Sequence, residues 1–88
     1  MKALITGASS GIGKAVAIEL AQKNIDLVLV ARRQEALEQL KKSLQSYPIH
    51  IDVFPCDLKD EKKCKQLVQQ FSDAQILINN AGFGDAGD

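Results

Sequence analysis

The sequence predicts an α/β protein in which strands and helices alternate around one parallel sheet. Three observations carry this reading. Short apolar runs at residues 3–5, 27–30 and 76–78 are separated by stretches with helical spacing. Leu27-Val28-Leu29-Val30 has no polar side, as a strand covered on both faces requires. The stretch TGASSGIG, residues 6–13, stands directly between the first apolar run and the first helical pattern.

Each element follows from its residues. Ala3-Leu4-Ile5 is the first strand. From Gly11 to Lys23, Ile12, Val16 and Leu20 recur every four positions with Ala15 and Ala21 beside them, which predicts an amphipathic helix. Residues 33–45 carry Leu37, Leu40 and Leu44 at helical spacing, and Tyr47-Pro48 stops that helix. Ile49, Ile51 and Val53 alternate with His50 and Asp52, and Phe54 follows, giving a third strand. Cys64, Leu67, Val68 and Phe71 mark a third helix, capped by Asp57 or Asp60. Ile76-Leu77-Ile78 is the fourth strand and runs into Asn79-Asn80-Ala81-Gly82. The order β-α-β-α-β-α-β gives a parallel sheet with right-handed crossovers. It is a Rossmann-like, doubly wound arrangement with expected strand order 3-2-1-4. Its switch point, where ligands bind, lies at the carboxyl ends of the central strands.

Size and charge narrow the function. Eighty-eight residues make one small domain. Eleven basic and eleven acidic side chains cancel, which argues against a nucleic-acid or membrane surface working through bulk charge. No apolar run approaches the ~20 residues of a membrane span. Cys56 and Cys64 fit no metal spacing and are too few for a disulfide framework, so they read as inert buried thiols in a reducing, cytoplasmic setting. His50 reads as solvent-facing. Lys59, Lys62, Lys63 and Lys65 read as a solvated helix face.

The glycine loop carries the chemistry. Gly7, Gly11 and Gly13 allow tight dihedrals and close approach of a ligand to the backbone. The helix beginning near Gly11 turns free N–H groups and its positive end into the loop, so a diphosphate is the natural guest. Ser9 and Ser10 add hydroxyls. The spacing G-x-x-x-G-x-G is not that of a P-loop, because Ala15 rather than Ser or Thr follows Lys14. The competing reading is a turn that merely packs a helix close to the sheet. At the end of the second strand stand Ala31-Arg32-Arg33, with no carboxylate for a ribose 2′-hydroxyl. A guanidinium fork suits a 2′-phosphate, so NADP(H) is preferred over NAD(H), with Arg32 ahead of Arg33. The alternative leaves both arginines solvated.

These residues resemble the N-terminal part of the short-chain dehydrogenase/reductase family. Thr6 to Gly13 is similar to its TGxxxGxG loop, Asn79 to Gly82 to its NNAG segment, and Asp57-Leu58 to its adenine-contacting pair. The resemblance covers essentially the whole chain. It implies diphosphate binding by the backbone of Ser10, Gly11 and Ile12, with Ser9 and Arg32 at the 2′-phosphate ribose. It implies Asp57 and Leu58 at adenine, and Asn80, Ala81 and Gly82 along the ribose and the approach to nicotinamide, while Asn79 braces the sheet. Asp57 serves equally well as a helix cap. The implied activity is an NADP(H)-dependent oxidoreductase acting on a carbonyl or alcohol, a homo-oligomer when complete. The family's catalytic tyrosine, with a lysine four residues later, has no match: the one tyrosine, Tyr47, is followed at that distance by Ile51. The expectation is therefore a cofactor-binding portion of a longer enzyme, inactive by itself. The alternative is a stand-alone nucleotide-binding module without catalysis.

Overall fold

A computed structural model describes residues 1–80; Ala81 and Gly82 lie outside the described residues. The elements are β1 (Lys2–Thr6), α1 (Gly11–Gln22), β2 (Asp26–Ala31), α2 (Gln34–Ser43), β3 (Ile51–Pro55), α3 (Glu61–Gln70) and β4 (Ile76–Asn79). The four strands are parallel and ordered β3-β2-β1-β4, as the alternating pattern predicts. Leu4 pairs with Val28 on one side and Leu77 on the other, and Leu29 pairs with Val53.

Two cores flank the sheet. Ala3, Ile5, Leu27, Leu29 and Ala31 pack on one face with Ala17 and Ala21 of α1 and with Leu37, Leu40 and Leu44 around α2. Leu4, Val28 and Val30 pack on the other with Cys56, Leu67 and Phe71, under α3. Period-two alternation thus feeds both layers from the same strands, and Leu27 to Val30 are fully buried. Phe54 and Phe71 meet edge to face with centroids 5.9 Å apart.

The packing face of α1 differs from the apolar stripe read in its sequence. Gly13, Ala17 and Ala21 are its buried residues, while Ile12 is 71% exposed. Val16 and Leu20 flank the contact, half-buried. Small side chains let the helix lie close to the sheet, so Gly and Ala rather than Ile form the seam. Asp60, not Asp57, caps α3: its Oδ1 accepts from the amides of Lys62 at 3.1 Å and Lys63 at 3.2 Å. The third strand starts at Ile51, because Asp26 Oδ1 accepts from the His50 amide just before the ladder begins. His50 itself is exposed, and its ring lies 3.2 Å from Asp52. Val68 is exposed, and Cys64 is half-buried where Cys56 is fully buried.

The amino ends of the strands are laced together. The Lys2 amide donates to Gln75 Oε1 at 2.8 Å, and Lys2 Nζ pairs with Asp73 at 2.9 Å. The Asp26 amide donates to the Met1 carbonyl. The carboxyl ends carry the glycine loop, Arg32-Arg33, Asp57-Leu58 and Asn80, so the parallel sheet brings every described candidate residue to one end. Tyr47 lies toward the opposite end, before β3, and packs against the α1/α2 core. Among the described residues no helix is long and apolar enough to cross a membrane, and no group of His, Cys, Asp and Glu could hold a metal ion.

Candidate cofactor site

The loop from Thr6 to Ser10 is fixed by a dense set of bonds. Gly7 has φ 62°, a conformation that side chains rarely adopt, which turns the chain out of β1. Its carbonyl then accepts from the Ser10 amide (3.1 Å), the Ser10 hydroxyl (2.9 Å) and Asn80 Nδ2 (3.0 Å). The Ala8 amide donates to Val30 O at 3.0 Å, tying the loop to the end of β2. Thr6 Oγ1 donates to Asn79 Oδ1 at 3.1 Å and accepts from the Asn80 amide at 3.1 Å. The Asn79 side chain thus ties the end of β4 to the end of β1.

Ser10 is the N-cap of α1, with extended backbone and its Oγ accepting from the Gly13 amide at 3.2 Å. The same Oγ accepts from Asn80 Nδ2 at 2.7 Å. Its one hydrogen goes to Gly7 O, so the Ser10 hydroxyl is committed inside the loop. Asn80, likewise, spends its amide group on the loop. The family resemblance implied Asn80 along a ligand; the bonds that join it to residues 70 or more positions away left no sequence signal.

The three glycines separate by what the fold demands of them. A Cβ on Gly13 would stand 2.3 Å from Gly7 O and 2.9 Å from Ala8 Cα, so close packing requires glycine there. Gly7 needs its positive φ. Gly11 needs neither: it is helical, and a Cβ would meet nothing within 4 Å. The first helical turn leaves N–H groups without intrahelical partners. Ser10 satisfies those of Gly13 and Lys14. Among the described residues no acceptor meets the amides of Gly11 and Ile12. Of the three helices among the described residues, only α1 has no acidic residue in its first turn; α2 has Glu35 and α3 has Glu61. Two adjacent donors, a positive helix end, no competing carboxylate and open space over Gly11 together fit an anion close to the backbone.

The remaining candidates surround this centre. Arg32 and Arg33 are exposed just past β2, and Arg33 borders a surface groove with Gln34, Glu35, Glu38 and Gln39. Ser9 is half-buried beside Ser10. Asp57 and Leu58 are exposed in the turn after β3; Asp57 Oδ1 accepts from the Lys59 amide at 3.0 Å, so it shapes that turn. Burial of the Cys56 thiol, with Cys64 as a hydrogen-bonding neighbour, pushes its pKa up to about 11.

The family model for short chain dehydrogenase matches residues 1–88, the length of the chain. The chain belongs to the short chain dehydrogenase family. It is 45% identical over 84 residues to a fatty acyl-CoA reductase of Acinetobacter baylyi, covering 91% of this chain and 28% of that protein. It is 42% identical over 85 residues to an NADP-dependent 3-hydroxy acid dehydrogenase of Schizosaccharomyces pombe, covering 90% of this chain and 33% of that one. Among solved structures, the bulky-bulky ketone specific alcohol dehydrogenase of Comamonas testosteroni superposes with TM-score 0.86 at 39% identity, over 94% of this chain and 36% of that chain. This short chain dehydrogenase sequence thus spans about a third of the length of the relatives it matches. The shared portion is the β-α-β-α-β-α-β unit with its glycine loop.

Proposed function

We propose that residues 1–88 form the cofactor-binding portion of an NADP(H)-dependent oxidoreductase acting on a carbonyl or alcohol. The observation that carries this reading is Gly11: the described residues give no reason for glycine there, and among them no acceptor meets the amides of Gly11 and Ile12. The Gly11 and Ile12 amides bind the diphosphate, with the α1 dipole behind them. Gly7 and Gly13, with Ser10, keep those amides in place. Ser9 and Arg32 meet the 2′-phosphate ribose, and Arg33 adds positive charge. Asp57 accepts from the adenine amino group and Leu58 packs on the ring. Asn80, Ala81 and Gly82 line the ribose and the approach to the nicotinamide. The bound cofactor supplies a hydride donor or acceptor. The chain's own residues bind and orient it.

The name of the Schizosaccharomyces relative specifies NADP, and that of the Comamonas neighbour specifies ketones, which supports the cofactor and the substrate class. The proton donor comes from outside residues 1–88, since Tyr47 is packed against the core away from the glycine loop. Residues 1–88 alone therefore bind cofactor without turnover. Gly11→Ala tests the reading. In the full-length protein we expect wild-type stability, or a gain of up to ~1 kcal/mol from removing a helical glycine. We expect NADPH affinity to drop at least tenfold by titration calorimetry. A variant that folds and binds NADPH as tightly as the parent removes the diphosphate from this loop.

A further inference from the structure

Cys56 and Cys64 are joined by one turn. Cys56 ends the β3 side and its Sγ donates to Asp57 O at 3.4 Å. Cys64 lies in α3 and its Sγ donates to Leu58 O at 3.2 Å. The two thiols thus rest on consecutive carbonyls, those of the residues assigned to adenine. Cys56 is buried and Cys64 half-buried; neither is needed to coordinate, cap or pair. The two sulfurs face the same turn, and the thiols are close enough to be hydrogen-bonding neighbours.

We infer that Cys56 and Cys64 form a reversible disulfide that closes residues 57–63 into a loop and weakens cofactor binding. The oxidant is a low-molecular-weight disulfide. The Cys64 thiol, the more accessible of the two, loses its proton, attacks one sulfur of that disulfide and expels one thiolate. The Cys56 sulfur then attacks Cys64 Sγ and expels the second. The two cysteines lose two electrons, the small disulfide gains them, and the two cysteine protons end on the two thiols released. Burial hides Cys56 from the oxidant and pushes its pKa up to about 11, so the more accessible Cys64 reacts first and the second step is the slow one.

Closure removes both S–H donors from the Asp57 and Leu58 carbonyls. What still holds the turn is the Asp60 amide on Asp57 O and the Lys59 amide on Asp57 Oδ1. The new bond also constrains the backbone between the two cysteines, which carries Asp57 and Leu58.

The effect on binding rests on the function proposed above, so the test separates the two. The full-length protein is incubated with oxidised glutathione, digested and analysed by mass spectrometry, and NADPH affinity is measured before and after. We expect the peptides holding Cys56 and Cys64 to be joined, two hydrogens lighter and free of glutathione. Affinity should fall at least threefold and recover with a dithiol reductant. Cys64→Ser should bind like the reduced parent and ignore the treatment. A stable glutathione adduct on Cys64, unreacted thiols, or a disulfide with unchanged affinity overturns the inference. Failure of the reduced protein to bind NADPH overturns the cofactor assignment instead, while the mass result still decides the disulfide.

Discussion

At the scale of single residues, the glycine loop shows how one residue type meets three different demands. Gly7 supplies a dihedral, Gly13 supplies clearance, and Gly11 leaves room that none of the described residues fills. The loop was legible from its spacing, but the division among its glycines was not, because clearance at Gly13 is set by Gly7 O and Asn80. Two predictions belong here. Arg32→Asp in the full-length protein should replace attraction for a 2′-phosphate by repulsion and move preference toward NAD(H) by tenfold or more in kcat/KM ratio. An unchanged ratio would end the role assigned to Arg32. Cys56 makes the second. Its thiol ionises near 11 in the folded chain against 9.0 ordinarily, so between those values the unfolded chain has released a proton that the folded chain retains. This contribution is complete below about pH 9 and is lost as pH rises through 11, on the order of 2 kcal/mol in all. Urea titrations at pH 8 and pH 10.5 should show that loss in the parent and a smaller one in Cys56→Ala; equal losses would contradict it.

At the scale of elements, helix caps separate structural from functional demands. Ser10 and Asp60 cap α1 and α3 with side-chain bonds, whereas Arg33, at the N-cap of α2, makes none. Its extended backbone suits a serine well. Arg33→Ser should therefore raise stability by about 1 kcal/mol in chemical denaturation, while NADPH affinity falls. Tighter or equal NADPH binding in that variant would show that the arginine is there for some other reason. Leu37, Leu40 and Leu44 were readable as a core face because large side chains mark period 3.6 strongly. The seam of α1 was not, since Gly13, Ala17 and Ala21 carry almost no hydropathy signal and Ile12 carries a misleading one. Asp57 and Asp60 were indistinguishable as caps from sequence; only the register of the turn decides between them.

At the scale of the whole molecule, the strand order followed from simple rules. Apolar runs, helical crossovers and a glycine loop leave few topologies, and β3-β2-β1-β4 is the one adopted. The tie from Asn80 to Gly7 and Ser10 was invisible because nothing local in either segment specifies it. On the α3 face, Leu77 of the outer strand β4 is 69% exposed, and Val68 of α3 is 68% exposed. For residues 1–88 expressed as a unit, an apolar side chain on the strand that forms the sheet edge among the described residues favours self-association. Leu77→Lys should lower the apparent mass of that unit in light scattering without loss of helical signal; identical scattering would exclude this edge as the cause. The placement of β1 has a consequence for synthesis. It is translated before its neighbour β2, and its second neighbour, β4, is made some 70 residues later. The nascent chain can pair β1 with β2 early, but the bonds from Asn80 that fasten the glycine loop wait until Asn80, the last described residue, has been translated. Fastening of the glycine loop is thereby timed to the late synthesis of β4, not to that of β1.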